Sequence, residues 1–177
     1  MLFRSGDMSN LIKKLSLSLV FVLSFGMNAQ AGGLAKSGEF SGAAFYSGKV
    51  LAMVMKGQAP VLIQAEYYGG TKNSAGSGLF QMNSFKCNFA LEVVQMPQTQ
   101  SIGFCTFVDA DGDTMIQRGV INGTLGGPGK GIAKFVHGTG KYEGITGEAV
   151  WNISPVPSAE QGTFQGWNSF SGSYQLP

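Results

Sequence analysis

Glycine recurs too densely along this chain for long helices to persist. Of its 27 glycines only Gly6 and Gly26 precede Ala31, so 25 fall in the 146 residues that follow. Each glycine inside a helix costs about 1 kcal/mol relative to alanine. Between the glycines the apolar residues alternate at period two. Val61, Ile63, Ala65 and Tyr67 fall on one face of "PVLIQAEYY", with Gln64 and Glu66 on the other. Phe89, Leu91 and Val93 oppose Asn88 and Glu92. Ile102, Phe104 and Val108 oppose Gly103, Cys105 and Phe107, while Phe164, Phe170 and Tyr174 keep even spacing near the C-terminus. Such alternation, rich in β-branched and aromatic residues, predicts strands.

Strands are expected near 39–47, 49–56, 60–68, 78–87, 88–96, 101–109, 113–122, 130–137, 147–153 and 162–175. Between them lie turn-rich segments such as "YSGK", "QMPQTQ", "DADGD" and "LGGPGKG". Short strands at this spacing imply an all-β sandwich or barrel. Closure into a barrel is favoured because it removes exposed sheet edges.

Residues 1–31 read differently. Lys13 and Lys14 precede the apolar run Leu15 to Met27, and Ala29 and Ala31 stand at −3 and −1 of a cleavage site. That is the pattern of a secretory signal peptide. The run is short of the roughly 20 apolar residues needed to span a bilayer; the alternative is an uncleaved anchor or a buried helix. Translation starting at Met8 would remove the "MLFRSGD" prefix. Residues 32–177 then form one β domain, exported to the periplasm or the exterior.

Without the leader, which carries Arg4, Lys13, Lys14 and Asp7, nine basic and nine acidic residues remain. That neutrality argues against nucleic acid, whose binding rests on phosphate neutralisation. It argues equally against a polybasic membrane patch, and no stable membrane insertion is expected. Cys87 and Cys105 are the two cysteines. In an exported protein one disulfide is expected, with free thiols the alternative. A hairpin turn centred near Thr99 would not place them opposite each other, so the bond needs a shifted register or non-neighbouring positions.

The motifs that invite chemistry fail on inspection. Asp109, Asp111 and Asp113 resemble the start of a calcium loop, but Thr114 stands at the required glycine and Val120 at the required glutamate. A hairpin turn, with weak calcium binding as the alternative, fits better. "LGGPGKG" lacks the Ser or Thr of a nucleotide loop and reads as a Pro-Gly turn. His137 is the only histidine, and no Ser stands in a GxSxG elbow. No metal site or cofactor is expected. Glu66, Glu92, Arg118 and Glu148 lie inside alternating segments. Outward they are solvated surface; inward they must pair, because an unpaired buried charge is prohibitive, and would mark a ligand site.

The segment "FVHGTGKYEGITGEAVW", with "FVDADGDTMIQRG" before it, resembles a family of small exported bacterial proteins. That family carries a G-G-T-G-K-[YF]-x-G-x-x-G motif, shared loosely with the allene oxide cyclase and dirigent barrels. The resemblance spans Phe107 to Trp151, roughly a third of residues 32–177. Gly138, Gly140, Gly144 and Gly147 are the motif glycines, with Thr139 and Lys141 between them; His137 departs from the motif's usual glycine. The resemblance implies an eight-stranded antiparallel barrel with a glycine-rich turn at these four positions. It carries no catalytic residues across, since the family's acidic and polar sets lie outside the motif.

The expected role is therefore a non-enzymatic exported barrel that binds a small apolar ligand or serves as an interaction module. The alternative is a cofactor-independent cyclase- or isomerase-like enzyme on a hydrophobic substrate. A homo-oligomer, with apolar strand faces buried between copies, is a further alternative. The candidate ligand-binding residues are Glu66, Glu92, Arg118, Glu148, Phe164, Phe170 and Tyr174, with Met53 and Met55 as further cavity-lining candidates.

Overall fold

Eight antiparallel strands follow one another around a closed barrel in the computed structural model, which describes residues 34–177. They are β1 (Ser37–Lys56), β2 (Ala59–Asn73), β3 (Ser84–Gln95), β4 (Gln98–Val108), β5 (Thr114–Thr124), β6 (Gly129–Gly138), β7 (Thr146–Val156) and β8 (Thr163–Gln175). β8 pairs with β1 to close the ring, from Ser37 opposite Gln175 to Lys49 opposite Thr163. The leader expected over residues 1–31 lies outside the described residues.

Two of the ten expected strands merge into neighbours. "YSGK" is not a turn: β1 runs through it, and Gly48 faces inward, opposite both Tyr67 and Phe164. Likewise residues 78–83 are not strand, and the remainder of the 78–87 and 88–96 segments forms the single strand β3. At Gly48 the glycine makes room for a facing ring rather than making a turn.

That use of glycine organises the barrel. Six inward rings each lie directly across from a glycine on the neighbouring strand: Phe40 on Gly172, Phe170 on Gly42, Tyr46 on Gly166, Phe164 on Gly48, Phe85 on Gly69 and Phe89 on Gly103. A methyl group on any of these glycines would come within 2.5–2.9 Å of the facing ring. An eight-stranded barrel has an interior only wide enough for packed side chains or one small ligand, so a large ring needs a small residue opposite it.

One end of the barrel is plugged. The β2–β3 connection folds inward and buries Leu79 and Phe80 completely. The Phe80 ring sits 4.9 Å from Phe107 and 5.1 Å from both Phe40 and Phe170, centroid to centroid. Such pairs contribute about 0.5–1.5 kcal/mol each beyond their area. Phe80 holds a φ of +64°, a strained backbone for a bulky residue. Buried polar groups clamp it there. The Thr71 hydroxyl donates to the Phe80 carbonyl at 2.8 Å, and the Asn73 side-chain amide donates to the Leu79 carbonyl at 2.7 Å.

At the opposite end β1 and β2 overhang the rim. β1 loses its β8 partner after Lys49, and β2 gains β3 only from Leu62. Met53 and Met55 lie on this overhang, each 46% exposed, rather than in the interior expected for them.

Candidate functional site: the open half of the lumen

With one end plugged, the other half of the lumen remains an open cup of about 340 Å³. Its wall is the inward phase of the strands: Tyr46 and Val50 from β1, Ile63, Ala65 and Tyr67 from β2, Phe89 and Leu91 from β3. Ile121, Ile153 and Phe164 complete it, and Leu125 with Pro128 rims the mouth from the β5–β6 turn. Beneath lies a deeper chamber of about 30 Å³, reaching Gln117, Trp151 and the Cys87–Cys105 disulfide. Tyr67, Phe89, Ile121, Ile153 and Asn168 line both chambers.

No Asp, Glu, His, Lys or Arg lines either chamber. The ionisable groups there are two phenols. Burial raises the pKa of Tyr46, and burial followed by the proximity of Tyr46 raises that of Tyr67. Both therefore stay protonated at neutral pH.

The polar exceptions are the buried Thr99 and Ser101 in the wall of the cup and two amides at its floor. Gln117 is 1% exposed and Asn168 8%. The Trp151 indole N–H donates to Gln117 Oε1 at 3.2 Å. Because the indole can only donate, this bond fixes the amide orientation and leaves Gln117 Nε2 without a partner among the described residues. Asn168 Oδ1 is likewise buried and unpartnered.

The expected site residues divide by strand phase. Glu66, Glu92, Arg118 and Glu148 all project from the outer surface, so none faces the lumen. Glu66 lies between Lys86 at 3.2 Å and Lys49 at 3.3 Å, and their hydrogen bonds, led by Lys86, lower its pKa. Glu148 pairs loosely with Lys134 at 4.0 Å. Glu92 and Arg118 are solvent-exposed. Phe164 lines the cup, whereas Phe170 and Tyr174 pack in the plugged half around Phe40 and Phe80. The alternation that placed Phe164, Phe170 and Tyr174 in step also carries Asn168. The phase that puts Met115 inside carries Gln117 and puts Arg118 outside. Tyr46, Tyr67, Gln117 and Asn168 are the site residues that a search for charged groups missed.

The glycine-rich segment lies away from the cup. Gly138 ends β6, Gly140 and Gly144 hold φ of +54° and +72° within the connection, and Gly147 lies in β7. Gly140 to Tyr142 form a single 3₁₀ turn. His137 is exposed on the outer face, beside Val136, where β6 carries an extra residue opposite β5.

The acidic turn is packed against this segment and carries its own cation. Lys141 Nζ stands 2.7 Å from Asp109 Oδ2 and also pairs with Asp111. Tyr142 donates its hydroxyl to Asp109 at 2.8 Å, and the backbone N–H groups of Asp111 and Asp113 donate to the other Asp109 oxygen. Burial alone would raise the Asp109 pKa; the hydrogen bonds from Lys141, Tyr142 and the backbone outweigh it and hold the pKa below the ordinary aspartate value. A lysine occupies the position that the calcium alternative would give to a metal.

No protein-family model matches this chain, and no curated protein matches it.

Proposed function

We propose that this protein is exported and binds a small apolar molecule in the open half of its barrel. One observation carries the reading: an apolar cup of about 340 Å³, open at one end, in a barrel whose other end is plugged by Leu79 and Phe80. Ligand sites are concave and mostly apolar, with a few placed polar groups, and the cup has that composition. Its lining has no carboxylate or imidazole to move a proton, which favours binding over a cyclase- or isomerase-like reaction.

Export is supported by the disulfide, a bond that persists in oxidising compartments, together with the leader pattern of residues 1–31. No helix among the described residues is long and apolar enough to cross a membrane. The strands turn apolar side chains inward, and their outer face sets Lys86, Arg118 and Lys134 among exposed Phe104, Ile132 and Trp167; charged groups at mid-strand are costly on a lipid-facing exterior. The likeness to the allene oxide cyclase and dirigent barrels extends, on this reading, to the fold and not to catalysis.

Titration with N-phenyl-1-naphthylamine, a neutral fluorophore that brightens in apolar surroundings, tests the binding reading. Saturable enhancement is the expected result, and a barrel that gives none overturns it. Mature N-terminal sequencing after expression with the leader tests export; an intact Met1 or Met8 would refute it.

A further inference from the structure

Binding in the cup leaves open what kind of apolar molecule enters, and the floor of the lumen narrows the answer. Gln117 Nε2 is a donor and Asn168 Oδ1 an acceptor; both are buried, neither has a partner among the described residues, and both residues line the deep chamber. A buried polar group without a hydrogen bond is costly, and such groups in a folded protein call for a physical explanation.

We infer that the ligand carries one small neutral oxygen function, an alcohol being the best fit, which enters first and lies at Gln117 and Asn168 while its apolar body fills the cup. A hydroxyl both accepts and donates one proton, so it can take the Gln117 N–H and give its own hydrogen to Asn168. The sizes agree. The deep chamber, at about 30 Å³, exceeds the roughly 10–15 Å³ that a single water requires, which suits a terminal oxygen and little more. The upper chamber is some ten times larger and mostly apolar, with Thr99 and Ser101 as its buried hydroxyls.

Charge narrows the class further. A carboxylate or phosphate at the floor would be a buried anion with no lysine, arginine or histidine lining either chamber, and burying an unpaired charge is prohibitive. The ligand class is therefore a neutral alcohol; a ketone is a weaker fit because its oxygen only accepts and leaves Asn168 Oδ1 unsatisfied, and an amide because its separate donor and acceptor atoms need more room than the deep chamber gives.

This inference rests on the lumen being the binding site, and one experiment separates the two claims. Octane, octan-1-ol and octanoate are each titrated against barrel loaded with N-phenyl-1-naphthylamine at about pH 8. A floor that offers no hydrogen bond would favour octane over octan-1-ol by about a thousandfold, the cost of stripping water from a hydroxyl. The expected result is that octan-1-ol displaces the fluorophore within about tenfold of octane or better, and that octanoate does not displace it. Asn168→Leu should lower the affinity of octan-1-ol relative to octane about tenfold, with retained octane binding serving as the control that the variant is folded. Displacement by octane alone overturns the alcohol assignment and leaves the cup as an apolar site. Equal loss of both compounds in Asn168→Leu also overturns it. A barrel that binds neither the fluorophore nor any of the three compounds overturns the lumen reading itself.

Discussion

Cys87 and Cys105 stand directly opposite each other on β3 and β4, their Cα atoms 4.0 Å apart, and form a disulfide across the ladder. The β3–β4 turn falls at Met96–Pro97 rather than near Thr99, and that difference brings the two cysteines into register. The bond closes a short loop, and in the chain-entropy model it contributes about 3 kcal/mol. Cys87→Ala/Cys105→Ala should therefore lower the melting midpoint by roughly 6–12 °C. An unchanged midpoint by calorimetry would show that the ladder holds without it.

The glycine–ring pairs make a sharper demand. Gly103 faces Phe89, and a methyl group there would collide with the Asn88 carbonyl oxygen and the Phe89 ring. Gly103→Ala should destabilise the barrel by about 2 kcal/mol, the usual scale of core overpacking. Gly57, whose surroundings are open, is a poor comparison because its φ is +64°; Ala43, outward on β1, replaced by Ser is the better control. Urea unfolding that ranks the two variants equally would sink the packing argument.

The Asp109 network sets a pH dependence. The folded state holds the Asp109 pKa below its ordinary value, so its contribution is present above the unfolded value of about 4 and is lost as pH falls through the lower folded value. Tyr142→Phe removes the hydroxyl that donates to Asp109 and should cost about 1–2 kcal/mol at neutral pH. The gap between wild type and variant should narrow as pH drops from about 5 to about 2. Thermal melts across that range test it, and a constant gap would assign the loss to packing. Calcium should leave the wild-type midpoint unmoved, because Lys141 already pairs with Asp109 and Asp111.

Strand phase was legible in the alternation and strand number was not: the alternation divides the chain into ten strands, whereas the resemblance implied the eight that the barrel has. The alternation in "PVLIQAEYY" and "NFALEVV" put Ile63, Tyr67, Phe89 and Leu91 on one side, and they do line the lumen. The same alternation already put Glu66 and Glu92 on the other side, so their outward placement follows from it. Gly48 read as a turn because a glycine that seats a ring across a ladder looks, locally, like one that bends the chain; the facing Phe164 is more than a hundred residues away in sequence. Residues 78–83 read as strand because Leu79 and Phe80 are apolar, yet they are buried as a plug whose backbone at Phe80 no propensity would suggest. Gln117 and Asn168 were overlooked for a different reason. A buried neutral amide carries no charge signature, and only closure of the barrel brings β5 and β8 to the same chamber.

The cup can be filled without touching its floor. Ala65 faces the lumen between Val50 and Phe89 on the neighbouring strands and lines the upper chamber. A phenyl ring at this position occupies the space assigned to the ligand's apolar body while leaving Gln117, Trp151 and Asn168 in place. Ala65→Phe should weaken N-phenyl-1-naphthylamine binding by at least about tenfold, which corresponds to about 1.4 kcal/mol. Cavity filling commonly adds about 0.5–2 kcal/mol of stability, so the melting midpoint should hold or rise. That combination matters, because lost binding in a destabilised variant would say nothing about the site. A stable Ala65→Phe barrel that still binds the fluorophore at wild-type affinity would put the ligand outside the lumen.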